Sequence, residues 1–183
     1  MDQGLLPRRY AKALYKYAVE RDAAAQMYTA MGTLAEAYDA NASLQATIAN
    51  PFVDNDRKAT ILATAADTKS LDKAAEAFDD FVKLLGRHRR MEIMRETALA
   101  YLAIYRREHN IYKVHITSAA TLADNDRNRI QAMVEKHLQG GTAQYTYSTD
   151  PALIGGFTVT IDSQRLDASV RNEFQQLRQR LIQ

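Results

Sequence analysis

The hydrophobic positions of this chain keep a helical rhythm as far as Asn110 and then change to a two-residue rhythm. Pro7 stands where a first helical turn tolerates a residue without an N–H, and RRYAKALYKYAVERD then runs unbroken to about Asp22. A second helical segment, AAAQMYTAMGTLAEAYDA, reaches Ala40. A short helix over Leu44 to Ala49 ends at Asn50-Pro51, because the residue before a proline is pushed out of the helical region. Asp54 or Asn55 caps DRKATILATAA, Ser70 opens LDKAAEAFDDFVKLLG, and Met91 opens EIMRETALAYLAIYRREHN. Six helices are thus predicted by Asn110.

Beyond that point IYKVHITSA alternates as a strand, with Ile111, Lys113, His115 and Thr117 on one face and Tyr112, Val114 and Ile116 on the other. A helix capped near Asp124 runs through NRIQAMVEKHLQ until Gly140-Gly141 stops it. QYTYST, the strand GGFTVTID, a short QRLD segment and a last helix from about Ala168 follow. Asp167 is the expected cap of that helix, with Ser169 as a rival, and Val170, Phe174, Leu177 and Leu181 share one of its faces. The prediction is an α+β chain: an N-terminal six-helix bundle over residues 1–110 and a small C-terminal α/β domain, a β-α-β-β-α unit, over 111–183.

One stretch interrupts the regular pattern. In DPALIGGFTVTID, two adjacent glycines precede a strand, in a chain with only seven glycines. A glycine doublet that cradles phosphate leads into a helix, whose N-terminal N–H groups attract the anion. This one leads into a strand, where Phe157, Val159 and Ile161 alternate with Thr158, Thr160 and Asp162. The expected role is structural: Asp150-Pro151 a turn, Leu153 and Ile154 apolar anchors, and Gly155-Gly156 a bulge or a point of close backbone approach.

Composition narrows the possibilities. With 183 residues, 46% of them hydrophobic, the chain can bury a real core. It has no cysteine, which excludes disulfides, thiolate metal sites and a cysteine nucleophile together. No run approaches the roughly 18 apolar residues of a membrane span, and MDQGLLPRRY lacks a secretory apolar core. The expectation is a soluble protein that is not exported, and the lack of a transit-like leader points to a bacterial source. Net charge is +2, with 16 basic against 15 acidic residues up to Asn110 and 8 against 7 after it. Such mixing disfavours a nucleic-acid binder, which concentrates its cations.

Catalytic constellations are not found in the sequence. His88, His109, His115 and His137 have no metal-ligand spacing. Asp79 and Asp80 are adjacent on a helix and diverge by about 100°, which suits a solvated face better than shared acid-base work. No G-x-S-x-G elbow and no G-x-x-x-x-G-K-[ST] loop is present. The basic run RHRR at 87–90 either touches phosphate or complements the C-terminal end of the fifth helix, and the helix end is favoured.

Two helices carry surplus apolar surface. On the first, Leu6, Tyr10, Ala13, Leu14 and Tyr17 form one arc that Ala11, Tyr15 and Ala18 extend, leaving little room for Arg8, Arg9, Lys12, Lys16 and Glu20. On the fifth, Leu71, Ala74, Phe78, Phe81, Val82, Leu84 and Leu85 lie together. These arcs exceed the stripe of about 100° that faces a single core. Either they form a groove for a third helix, or both helices are central and covered by neighbours.

RRYAKALY near the start, NPFVDNDRK at 50–58, FVKLLGRHRR at 81–90 and DPALIGGFTVTIDSQRLDASVRNEFQQL at 150–177 together resemble the delta subunit family of bacterial-type ATP synthases, which includes the mitochondrial oligomycin-sensitivity-conferring protein. The resemblance runs from end to end of the chain. It implies a non-catalytic stator subunit without cofactor or metal, peripheral on the cytoplasmic face of a bacterial inner membrane and attached only through the complex. The helical domain would grip the N-terminal helix of an alpha subunit through Tyr10, Ala13, Leu14, Tyr17, Phe81, Leu84 and Leu85. The C-terminal domain would hold the b-type stalk, so that the head does not turn with the shaft. A small helical RNA-binding or antitermination-type module using RHRR is the rival reading.

Overall fold

A computed structural model describes residues 4–68, 71–138, 140–162, 164–170 and 172. The chain divides into two compact units, Met1–Tyr105 and Arg106–Gln183. The fold is α+β, with helices in the first unit and a four-stranded mixed sheet in the second.

The first unit is built from α1 (Leu5–Glu20), α2 (Ala24–Ala40), α3 (Ala42–Ala49), α4 (Asn55–Ala65), α5 (Asp72–Arg87) and the start of α6 (Met94–Glu108), which follows a 3-10 turn over Met91–Ile93. Ser70, the expected opener of α5, lies outside the described residues, and Leu71 occupies the N-cap position. On α1 the buried stripe is Pro7, Ala11, Leu14 and Ala18, a spacing of four, three and four that stays on one face. The core is completed by Met27, Met31 and Leu34 of α2, Phe78, Val82 and Leu85 of α5, and Met94 and Tyr101 of α6. Tyr101 is fully buried, and its hydroxyl donates to the Ala24 carbonyl at 3.1 Å. Without such a partner a buried hydroxyl costs about 1–3 kcal/mol.

The second unit contains β1 (Ile111–Ser118), α7 (Asp124–Leu138), β2 (Thr142–Thr149), β3 (Gly156–Ile161) and β4 (Gln164–Ser169). The sheet order is β2-β1-β3-β4. β1 pairs parallel with β2 and antiparallel with β3, and β3 pairs antiparallel with β4. The parallel pair requires a crossover, which α7 supplies. Val114 and Ile116 of β1, Val159 of β3, and Ile130 and Val134 of α7 form the core.

β4 corrects the predicted β-α-β-β-α unit. QRLD is not an isolated segment but the start of an edge strand that continues through Ala168 and Ser169. Its sequence is polar because an edge strand with one covered face has few apolar positions to display. Asp167 therefore stands in a strand, and the capping contact belongs to Ser169, whose hydroxyl accepts from the Asn172 N–H at 3.2 Å. Phe174, Leu177 and Leu181 lie outside the described residues.

At the glycine doublet the Asp150 carboxylate accepts from the Ala152 N–H at 2.9 Å, opening a 3-10 turn over Pro151–Leu153. Leu153 is buried, but Ile154 is not an anchor: it is 71% exposed and stands at φ 66°, an unusual conformation for a β-branched residue. There is no bulge, since Gly156↔Ser169 begins a register that runs unbroken to Ile161↔Gln164. Gly156 has φ +76°, and a Cβ there would collide with the Ala168 carbonyl oxygen of β4. At Gly155 a Cβ would come within 3.0 Å of the Val170 side chain.

A groove between the first and fifth helices

Tyr10, Tyr17 and Arg21 of α1 and its C-terminal cap meet Arg90, Asp80 and Glu76 in reverse order, so α1 and α5 run antiparallel. Between them lies a cleft of about 460 Å³ lined by Ala13, Leu14 and Tyr17 of α1 and Asp80, Phe81, Lys83, Leu84 and Arg87 of α5. Leu14 and Phe81, 2% and 5% exposed, are its floor. Leu84 is 38% exposed on its wall, and Ala13, exposed and small, keeps it open to close approach.

Hydrogen bonds fix the flanks. The Tyr17 hydroxyl donates to Asp80 Oδ2 at 2.8 Å. Arg21 lies 4.5 Å over the Tyr17 ring and pairs with Glu76 at 3.0 Å. The hydrogen bond to Asp80 is the first cause, and removal from water the second, that raise the Tyr17 pKa, while Arg21 pulls it down. Tyr10 packs edge-on against Phe81, 6.4 Å between centroids, and accepts from Arg90 Nη1 at 3.0 Å. Lys83 and Arg87 stand exposed on the rim.

Of the seven residues expected in a partner site, Ala13, Leu14, Tyr17, Phe81 and Leu84 are brought together here. Tyr10 borders the cleft through its contact with Phe81. Leu85 faces the other way and is fully buried in the core. Asp80, expected on a solvated face, is exposed, and it also lines the groove and ties α5 to α1. Its helical spacing with Lys83, Leu84 and Arg87, three, four and seven residues on, was the signal available for it. The RHRR run is not one patch: Arg87 lines the groove and Arg90 is held by Tyr10.

In the second unit a cleft of about 720 Å³ opens between the start of α7 and the segment before β3, lined by Leu122, Asp126, Arg129, Met133, Ile154 and Phe157 among others. Met133 and Ile154 are exposed there. His115 contacts Ser148 at 2.9 Å on the open face of the sheet. Among the described residues no three His, Asp or Glu side chains could hold a metal ion, and no helix is long and apolar enough to cross a membrane.

A helical unit with an open apolar groove, followed by a small α/β sheet unit, defines an α+β class of protein whose prominent surface feature is a slot between two helices. The chain belongs to the ATP synthase delta (OSCP) subunit family, whose sequence profile matches residues 6–181. It is 32% identical to the ATP synthase subunit delta of Phocaeicola vulgatus, over 98% of this chain and 95% of that protein. It is 28% identical to that of Parabacteroides distasonis, over 100% and 99%. In fold it is similar to a chain of the Toxoplasma gondii mitochondrial ATP synthase hexamer, with a TM-score of 0.73 and 18% identity over 97% of this chain and 98% of that one. The protein is a non-catalytic peripheral-stalk subunit of the ATP synthase, which associates with the membrane through the complex.

Proposed function

We propose that the six N-terminal helices act as one bundle that grips the N-terminal helix of an alpha subunit, and that the C-terminal unit, residues 111–183, holds the b-type stalk. Anchoring head to stalk keeps the catalytic head from turning with the shaft, so that proton flow drives ATP synthesis on the cytoplasmic face of a bacterial inner membrane. The observation that carries this reading is the groove itself. An amphipathic helix needs a slot with an apolar floor, and Leu14 and Phe81 supply one between two antiparallel helices. Ala13 lets a third backbone approach closely, and the cations Lys83 and Arg87 on the rim suit acidic positions flanking the partner's apolar stripe. In the C-terminal unit, the exposed Met133 and Ile154 beside an apolar cleft support stalk binding.

The test is calorimetric titration of the full chain with a synthetic peptide of the alpha subunit N-terminus. Ala13→Leu should overpack the slot, a change that costs about 1–3 kcal/mol, or roughly one to two decades in affinity. Undiminished binding by both Ala13→Leu and Leu84→Asp, at unchanged melting temperature, would place the partner elsewhere.

A further inference from the structure

β2 is an edge strand without the usual protections. It forms one margin of the sheet, its eight residues pair in unbroken register with β1, and among the described residues no strand lies on its outer side. The sequence TAQYTYST has no charge, no proline and no glycine. Natural edges are blunted by lysines, prolines, bulges or shortness, since a bare row of N–H and C=O groups invites another strand. The opposite margin, β4, is shorter and carries Arg165 and Asp167. β2 is left as a neutral, unbulged template.

A stripe of α7 rides over this strand at every fourth residue. Arg127 lies 5.2 Å over the Tyr147 ring. Gln131 Nε2 donates to the Tyr147 hydroxyl at 2.8 Å, and the Gln131 carbonyl accepts from the Tyr145 hydroxyl at 3.4 Å. Glu135 is close enough to be felt at Tyr145, whose pKa is raised by burial first and by the Glu135 charge second. The positive end of the stripe thus stands over Tyr147 and the negative end toward Tyr145. Neither charge is well matched within its own chain. Arg127 Nη1 is 3.9 Å from Asp124, its Nε meets no acceptor, and Glu135 has no ion pair, among the described residues.

We infer that β2 pairs with β2 of a second copy of this chain, antiparallel about a two-fold axis through Thr146, so that two four-stranded sheets become one. The contact is self-complementary, as a two-fold interface requires. With Thr146 opposite itself, Tyr145 of each chain faces Tyr147 of the other, and the pair already stacked within one chain at 6.4 Å continues across the axis. The same operation sets the two α7 stripes head to tail, with Arg127 of each copy toward Glu135 of the other. Moving the axis to Tyr145 would bring Glu135 against its own like, and moving it to Tyr147 would do the same to Arg127, so the charges select Thr146. No residue of the α1–α5 groove takes part.

The test is sedimentation of the full chain, whose monomer mass is 20.6 kDa. The parent should move toward twice that mass as concentration rises. Thr146 is exposed, so Thr146→Lys should keep the melting temperature and weaken association about tenfold, because it sets two ammonium groups opposite each other. Arg127→Glu and Glu135→Arg should each weaken association, and the double reversal should restore it. The chain has no cysteine, so Thr146→Cys supplies a single thiol. It should oxidise readily to a disulfide dimer, since directly opposed residues stand about 4.5–5.5 Å apart, within disulfide reach. Thr142→Cys, on the same strand but remote from its own mate, should not. A parent that stays monomeric to millimolar concentration, a Thr142→Cys that couples as fast as Thr146→Cys, or a double reversal no better than either single change would overturn the proposal. So would a dimer abolished by Leu84→Asp and untouched by Thr146→Lys, which would put self-association in the α1–α5 groove. If the b-type stalk, and not a second copy, protects the β2 amides from exchange, the edge belongs to a partner strand and the inference fails.

Discussion

The Tyr17 hydroxyl spans from α1 to α5 and donates a 2.8 Å hydrogen bond to Asp80, so the groove is tied at one flank by a phenol that titrates. Its raised pKa fixes the sign of the pH dependence. In the folded chain Tyr17 holds its proton to a higher pH than in the unfolded one, so the tie contributes fully below the ordinary value of 10.0 and is lost as pH rises through the folded value. Tyr17→Phe should therefore lower the melting temperature at neutral pH, and the gap to the parent should close above pH 10. A gap that widened in alkali would contradict the assigned hydrogen bond. The comparison cancels Tyr38 and Tyr101, whose pKa values burial also raises.

Leu84 and Leu85 are neighbours with opposite surroundings, 38% and 0% exposed. Leu85→Ala should cost about 2–5 kcal/mol of stability, the range for a buried leucine. Leu84→Asp should leave stability nearly unchanged while impairing alpha-peptide binding. Thermal melts and titrations of the two variants should separate the effects, and a comparable loss of stability in both would mean that the groove wall is core.

Gly156→Val should destabilise the C-terminal unit. The left-handed φ alone costs about 1–3 kcal/mol for a side chain that resists it, and the Ala168 carbonyl leaves no room for a Cβ. Amide exchange should accelerate in β3 and β4, with α1 and α5 unaffected. A variant as protected as the parent would show that the strands can part without cost.

A fragment ending at Asn110 should fold alone, with helical circular dichroism and one cooperative melt. The unit division at Tyr105 is a poor place to cut, because α6 continues to Glu108 and would lose its last turn. Residues 1–110 that remain unfolded until 111–183 are restored would refute independent folding.

Helix content was legible because the periodic apolar positions of α1, α2, α5 and α6 are long enough to average out single polar residues. The alternation in β1 was equally readable, since Tyr112, Val114, Ile116 and Ser118 face inward as a set. β4 was hidden because QRLDAS presents one large apolar residue, Leu166, which is itself 52% exposed. Pairing with β3, a long-range fact, makes it a strand. The apolar arc of α1 was read correctly in extent, but periodicity cannot divide it. Pro7, Ala11, Leu14 and Ala18 go to the core, and Ala13 and Tyr17 turn toward α5. Ser169 prevailed over Asp167 because β4 runs on to Ser169, which leaves the aspartate two residues inside the strand and the serine at its end, next to the Asn172 N–H, and that extent is set by pairing with β3 and by no local capping preference.

The position of β1 at the sheet's centre has a consequence for synthesis on the ribosome. β1 emerges first of the four strands, yet both of its partners, β2 and β3, lie downstream, with all of α7 between. Until they arrive, IYKVHITS is a nascent strand with two open edges and nothing to pair with except another copy of itself. Lys113 and His115, on its exposed face, are placed to discourage that encounter. The helical unit has no such wait, because its chain has been released before the first strand appears.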